Sequence, residues 1–324
     1  MSAEQTGART RFLILYNRQS GSRSGRRARL LADVRFRLQQ AGGVVELVVF
    51  ETLSEARERA RAARQAGAWD ALIVAGGDGT IRAVAAELTG SHLALAILPL
   101  GTANVLAHEI GLPAMAADLV DVLRHGPVAD LACGVCDGEP FLLMASAGFD
   151  AAVVGRAGLR TKRWIGKLAY AGPLLMEILR PAPRRQFAID GVPYTGTWLI
   201  AANACHYGGS FQIASARRLT QSGFQAVVID APTRGGVLKV LLAIACGSIS
   251  TCRHVLSLPC RSIELLGADM PVQLDGDVLR GCRFRIAAGK PSLRLIVPTG
   301  SELAVLAASN DQAGAGRPAS SSSQ

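Results

Sequence analysis

The chain has 324 residues and a mass of 33.9 kDa, room for about two domains of ordinary size. Its 49 % hydrophobic content supports packed cores, and its 35 glycines follow no three-residue period, which excludes fibrous and coiled-coil chains. The formal charge of +10 is weighted to the second half: residues 1–126 carry 15 basic and 12 acidic side chains, residues 127–324 carry 20 and 13. Such a balance suits anionic partners, although an Arg-rich composition reaches it without one.

The leading residues MSAEQTGARTRF place no apolar segment behind their basic side chains, so no secretory leader is expected. Residues 88–107 and 191–216 are uncharged, but prolines, glycines and polar side chains interrupt both, and no membrane-spanning helix of about 20 apolar residues is expected. Seven cysteines, at 133, 136, 205, 246, 252, 260 and 282, suit the reduced, buried thiols of a cytoplasmic protein. Cys133 and Cys136 form a lone CxxC, without the second pair or the histidines that a structural zinc requires.

In chain order, residues 11–16 (RFLILY) predict a strand, 26–40 a helix, 44–50 a strand, and Ser54 the N-cap of a helix running to about Gly67. Strands follow at 71–75 and 93–98. Repeated strand–helix steps build a mostly parallel, buried sheet. After Pro127 strand-like runs crowd together, at 128–135, 141–147, 186–190, 197–203, 224–230, 262–266, 272–274, 283–287 and 293–297, with helices near 163–179 and 237–246. Asp137-Gly138 and Asp190-Gly191 each separate two of these runs, a hairpin signal. The reading is an α/β N-terminal domain with a mostly parallel sheet (1–126) and a β-rich antiparallel, sandwich-like C-terminal domain (127–308). The end of the second domain is free to pack back on the first, and residues 309–324 are expected to be a low-complexity, disordered tail.

The sharpest motif is Gly76-Gly77-Asp78-Gly79-Thr80, between the apolar strand and a helical run from Ile81. Backbone amides of a glycine-rich turn at a helix start point at an anion, and the missing Cβ atoms let phosphate oxygens approach. Asp78 would repel phosphates unless it holds Mg²⁺ or positions a proton, so its presence argues for chemistry beyond passive binding. A second loop, Pro99-Leu100-Gly101-Thr102-Ala103-Asn104, again follows a strand and opens a helix; Gly101 gives backbone access, Thr102 and Asn104 neutral donors and acceptors. A third, Asn17-Arg18-Gln19-Ser20-Gly21, follows the first strand. All three meet at the carboxyl edge of the sheet, where open α/β sheets bind ligands.

With these loops the chain resembles the diacylglycerol kinase-type catalytic fold, the family of bacterial lipid kinases related to sphingosine and ceramide kinases. The resemblance spans nearly all of residues 11–298. It rests on Asn17–Gly21, GGDGT at 76–80, PLGTAN at 99–104, Ala129-Asp130-Leu131, Gly148-Phe149-Asp150-Ala151, Asn203 with Tyr207-Gly208-Gly209, and Val272-Gln273-Leu274-Asp275-Gly276-Asp277. It implies an NAD kinase/diacylglycerol kinase-like fold and ATP-dependent phosphorylation of the hydroxyl of diacylglycerol or a related long-chain lipid alcohol. Asn17, Ser20, Gly21, Gly76, Gly77, Asp78, Gly79, Thr80, Gly101, Thr102 and Asn104 would then hold the nucleotide, and Asp78 and Asp130 the Mg²⁺. Asp275 takes the place of the base, and Asp277 stands where the family usually has Glu.

Asp137-Gly138-Glu139-Pro140 spells the family's late motif letter for letter, but it reads as a hairpin tip, and Asp275 is preferred because it follows VQL and precedes the closing strands. Val105 stands where the family often has Asp, which leaves more of an acidic network to Asp78 and Asp130. The segment Gln221-Ser222-Gly223-Phe224-Gln225 lacks the carboxylates of a second metal site. Arg160, Lys162, Arg163 and Lys167 around Trp164 suit a transient contact with an anionic membrane surface or, equally, a solvated helix start. Of the histidines, His206 alone stands near the cleft motifs. No nucleic-acid partner is expected, and a homodimer is left open. Two rival functions are an NAD kinase-type enzyme acting on a soluble hydroxyl, against which no Asn-Glu dipeptide occurs in the chain, and a nucleotide-binding regulator without catalysis.

Overall fold

Four apolar segments form parallel strands β1 (Arg11–Asn17), β2 (Val44–Phe50), β3 (Ala71–Gly76) and β4 (Ala94–Pro99). The computed structural model describes residues 7–18, 25–156, 171–180, 183–208, 211–214, 219–267, 270–279 and 284–305. The strands run in the order β2-β1-β3-β4, with Gly76 level with Pro99. Because side chains alternate across a strand, each supplies two faces. Phe12, Ile14, Ile73, Ala96 and Leu98 pack against α1 (Gly25–Gln40) and α5 (Ala116–His125). Leu13, Leu15, Leu72, Val74 and Ile97 pack against α2 (Leu53–Ala66) and α3 (Asp78–Leu88). Thr52 caps α2, not Ser54: its extended backbone lets the hydroxyl accept the Glu55 N–H, and Gly67 closes the helix at φ 59°.

The sheet does not stop at β4. The final strand β18 (Arg285–Ile296) lies parallel to β4 with Leu295 beside Leu95, and antiparallel to β5 (Val128–Cys136). The runs read as 283–287 and 293–297 are thus one strand, with register shifts between Ala288 and Leu293. Beyond it come β15 (Ser262–Leu266), β8 (Arg185–Ile189) and β9 (Val192–Gly196), while β6 (Glu139–Phe141) edges β5. A second, antiparallel sheet has the order β14 (Val255–Cys260), β13 (Phe224–Ile229), β10 (Trp198–Ala202), β7 (Met144–Gly148), β16 (Val272–Leu274), β17 (Asp277–Leu279), and β11 (His206–Tyr207) pairs with β12 (Phe211–Gln212) in a separate ribbon. Phe141, Phe187, Ile189, Leu199, Phe224, Val228, Ile263, Leu274 and Ile286 fill the space between the two sheets.

The run read as one strand over 141–147 is two, β6 and β7, one in each sheet. The break falls at Leu142 and Leu143, whose N–H groups leave the ladder for the Asp275 carboxylate. Helix α6 (Phe149–Arg156) follows β7; α7 (Ala171–Ile178) and α8 (Arg234–Ala245) pack side by side on the second lobe. Cys133 and Cys136 belong to different cores, and burial pushes the Cys133 thiol up to about 12.

Candidate active site

Two glycine loops form the floor. β3 ends at Gly76, Gly77 caps α3, and the Leu100 N–H bonds back to Gly76 O at 3.0 Å. A Cβ on Gly101 would lie 2.6 Å from Gly77 Cα, so the loops touch backbone to backbone. The Asn17 amide at the end of β1 donates to Thr80 Oγ1 at 2.8 Å, tying the third loop to the first turn of α3. The glycines thus let the two loops close on each other at the positive, amino end of α3.

Asp78 does not face that opening as a free carboxylate. Its oxygens accept the N–H groups of Val105 (3.1 Å) and Leu106 (3.2 Å), capping the short helix α4 (Val105–Glu109). Burial raises its pKa, and these amides oppose the rise. Val105, which stands where an acid was expected, thus serves Asp78 through its backbone. Asn104 adopts φ 48°, and its Oδ1 is buried with no hydrogen-bond partner, an acceptor ready for a ligand donor.

The second lobe presents the β16–β17 hairpin. Asp275 and Gly276 have φ of 49° and 88°, the same two-residue turn as Asp137-Gly138 and Asp190-Gly191. Turn type therefore does not distinguish Asp275 from Asp137; surroundings do. Asp275 is 8 % exposed, and its carboxylate accepts the Leu142 N–H on Oδ2 (2.7 Å) and those of Leu143 and Met144 on Oδ1 (2.9 Å each). Burial pushes its pKa up to about 6, against the pull of the three amides and the Arg82 charge.

Two residues on, Asp277 crosses to the first lobe. Its Oδ2 sits 3.2 Å from Arg82 Nη2 on α3 and 2.7 Å from where a Cβ of Gly79 would stand. Glu139, from the motif set aside as a hairpin tip, approaches the same arginine at 3.8 Å. Arg82 and Glu139 are the site residues that sequence reading missed. An arginine inside an otherwise apolar run of a buried helix was the available signal for the first.

Behind the hairpin lies a buried polar network. Ser146 Oγ donates to Asp150 Oδ1 (2.5 Å), Gln273 Nε2 and Tyr207 OH reach Asp150 Oδ2 (3.3 Å each), and Gln273 Oε1 accepts the Gly276 N–H (2.6 Å). Burial raises the pKa of Asp150. Asn203 donates to the carbonyls of Ala132 (2.6 Å) and Leu142 (2.7 Å). His206 bonds through Nδ1 to Glu109 at 2.7 Å, and Glu109 also accepts the Cys205 and His206 amides, joining α4 to the second lobe.

Asn17, Gly76, Gly77, Asp78, Gly79, Thr80, Gly101 and Asn104 thus converge, with Thr102 exposed on the same loop. Asp130 does not join them: it is exposed and lies in β5 level with Arg294 of β18, near the amino end of β4, the end opposite the loops. Among the described residues no three His, Cys, Asp or Glu side chains group to hold a metal ion. Ser20, Gly21 and the cluster Arg160, Lys162, Arg163, Trp164 and Lys167 lie outside the described residues.

Residues 11–136 match the family model of the diacylglycerol kinase catalytic domain, and residues 144–297 that of the YegS C-terminal NAD kinase beta sandwich-like domain. A Pseudomonas aeruginosa protein named "Probable lipid kinase YegS-like" is 29 % identical over 301 residues, covering 90 % of this chain and 95 % of its own. A diacylglycerol kinase of Mycobacterium tuberculosis is 28 % identical over 277 residues, 81 % of this chain and 87 % of its own. The crystal structure of a diacylglycerol kinase from Bacillus anthracis str. Sterne shares the fold, with a TM-score of 0.65 over 90 % of this chain and 98 % of that one at 16 % identity. Two matched domains in succession, set on the geometry above, establish that the chain belongs to the diacylglycerol kinase-type catalytic domain family.

Proposed function

We propose that the chain transfers the γ-phosphoryl group of ATP to the hydroxyl of diacylglycerol or a related long-chain lipid alcohol, with Asp275 as general base. The observation that carries this reading is the buried Asp275 carboxylate, its pKa near 6, on a hairpin whose Asp277 rests against the glycine turn. A base of that strength is ionised at neutral pH yet still takes a proton.

The chain's residues fit a nucleotide. Gly77 and Gly101 keep the two loops in backbone contact beside the amino end of α3, and the orphaned Asn104 Oδ1 awaits a donor such as a ribose hydroxyl or an adenine amine. ATP would supply the phosphoryl group, with Mg²⁺ carried on its phosphates, since that ion keeps water and phosphate ligands and needs few carboxylates. A metal shared by Asp78 and Asp130 does not fit, because the two stand at opposite ends of the sheet, and no step passes through it. Asp78 instead holds the 99–104 loop in place by capping α4. Three amides fix the Asp275 carboxylate, and Oδ2, which accepts only one of them, keeps a lone pair for the alcohol proton. Transfer then depends on placement: loops hold the donor, and the hairpin presents the base.

A lipid acceptor requires contact with a membrane. Helices α7 and α8 leave Leu175, Met176, Leu238 and Leu242 exposed, with Arg180, Arg234 and Lys239 exposed on or next to the same helices. An apolar face with a cationic rim suits an anionic bilayer surface. No described helix is long and apolar enough to cross a membrane, and the reading is of a cytoplasmic enzyme that binds peripherally. The test is turnover of labelled ATP against a panel of lipid alcohols, with NAD as the soluble control. Phosphorylated lipid is the expected product; phosphorylated NAD alone, or no product with ATP bound, would replace this reading with one of its rivals.

A further inference from the structure

Arg82 lies one turn into α3, behind the glycine loop, and its side chain is 8 % exposed. A guanidinium has five N–H donors and stays charged at any working pH. Here Nη2 donates to Asp277 Oδ2 at 3.2 Å, while Nε and Nη1 are buried with no hydrogen-bond partner. Glu139 Oε2, 3.8 Å from Nη1, contributes charge but no hydrogen bond. Buried donors left without an acceptor are destabilising, so local stability does not account for an arginine at this position. Sites that break a local rule in this way are where function is expected.

What the arrangement achieves is a tie between lobes. Arg82 belongs to the α/β lobe and Asp277 to the hairpin of the second. The Asp277 carboxylate is thereby held where a Gly79 side chain would otherwise be. Asp275 precedes Asp277 by two residues on the same tight turn, so anchoring one anchors the other. The arginine ends a longer run of charge: Glu139 also pairs with Arg57 (3.1 Å), and Arg57 and Arg61 both pair with Glu87.

We propose that Arg82 is a positioning residue for phosphoryl transfer: it fixes the Asp277 carboxylate against the Gly79 turn and so sets where the hairpin bearing Asp275 stands relative to the phosphate-binding loops. This rests on the reading of Asp275 as the base. Its charge also favours ionised Asp275, so its loss moves that carboxyl further up.

The experiment compares full-length wild type with Arg82→Gln, Arg82→Lys, Asp277→Asn and the Arg82→Gln/Asp277→Asn double variant. It reads kcat and KM for ATP across pH, thermal unfolding, and the titration of the Asp275 carboxyl by carbon-13 NMR without nucleotide. Arg82→Gln is expected to lower kcat at neutral pH about tenfold, with KM for ATP little changed. Its acid limb and its Asp275 titration both move upward by about half a pH unit or more. Arg82→Lys keeps the charge and restores the limb, and the double variant is no worse than Arg82→Gln alone. An unmoved limb and titration in Arg82→Gln, or losses that add in the double variant, would overturn the proposal. Should Arg82→Gln fail to fold, Asp277→Asn decides: unchanged kcat rejects the tie. A wild type inactive on every lipid alcohol would reject the functional reading, while the nucleotide-free titration would still report on Arg82.

Discussion

Gly77 and Gly101, 24 residues apart in sequence, touch through their backbones: a methyl group on Gly101 would stand 2.6 Å from Gly77 Cα. Neither neighbour is a flexible side chain that could swing aside, so the two loops keep their spacing only while both positions lack a Cβ.

Gly101→Ala therefore forces the loops apart. The expected cost is about 1–3 kcal/mol of stability, together with weaker ATP binding because the phosphate surface opens. Gly77→Val acts in the same direction. Thermal unfolding and calorimetric titration with ATP measure both effects, and unchanged ATP affinity in a folded Gly101→Ala protein would contradict the assignment of these loops.

Asp275→Asn removes the proposed base and should reduce turnover by about 10²–10⁴-fold with ATP binding retained. The amide group must also turn an N–H toward the amides of residues 142–144, so unfolding is measured alongside. In the wild type the rate should rise with pH through an acid limb near 6, as Asp275 loses its proton. Stability has the opposite sign. Since the folded value lies above that of an ordinary carboxyl, the protonated form is favoured in the fold, and stability declines as pH rises from about 4 to about 6. An activity limb at the ordinary carboxylate position would show that another group is the base.

Asp78→Ala leaves the Val105 and Leu106 N–H groups without their acceptor. Loss of such a cap costs about 0.5–2 kcal/mol, and the 99–104 loop should loosen, visible as faster amide hydrogen exchange at Val105 and Leu106. If Asp78 were chiefly a metal ligand, its replacement would change the magnesium dependence of turnover and leave those amides protected.

Binding to vesicles tests the α7–α8 face. Sedimentation with anionic vesicles should weaken as salt increases, and Leu238→Ser with Leu242→Ser should release the protein at any salt while leaving turnover of a detergent-dispersed lipid alcohol intact. Binding that ignores both changes would place the membrane contact elsewhere.

Much of this molecule is legible locally. The strands over 11–16, 44–50, 71–75, 262–266 and 272–274 follow from apolar patterning, and β2, β15 and β16 have the same limits in the structure. The Asp-Gly turns at 137–138 and 190–191 follow from the two residues that tolerate positive φ, while the third, at 275–276, emerges only in the structure. The glycine loops are equally visible, because a phosphate surface is built from consecutive residues at a strand end. Family membership follows from the order of those motifs.

Partners were decided by tertiary structure alone. Asp137-Gly138-Glu139 and Asp275-Gly276-Asp277 differ by a single methylene in the third side chain and form the same turn, yet one carboxylate at the turn's first position is exposed and the other sits under three amides. That Asp78 caps a helix, that Asp130 stands at the far end of β4 and that Arg82 meets Asp277 all depend on strand register and on how the two lobes close. Hydrophobic period and turn chemistry act between neighbours in the chain, whereas the burial that shifts Asp275 and the ion pairs that join the lobes arise only when segments far apart in the chain come into contact.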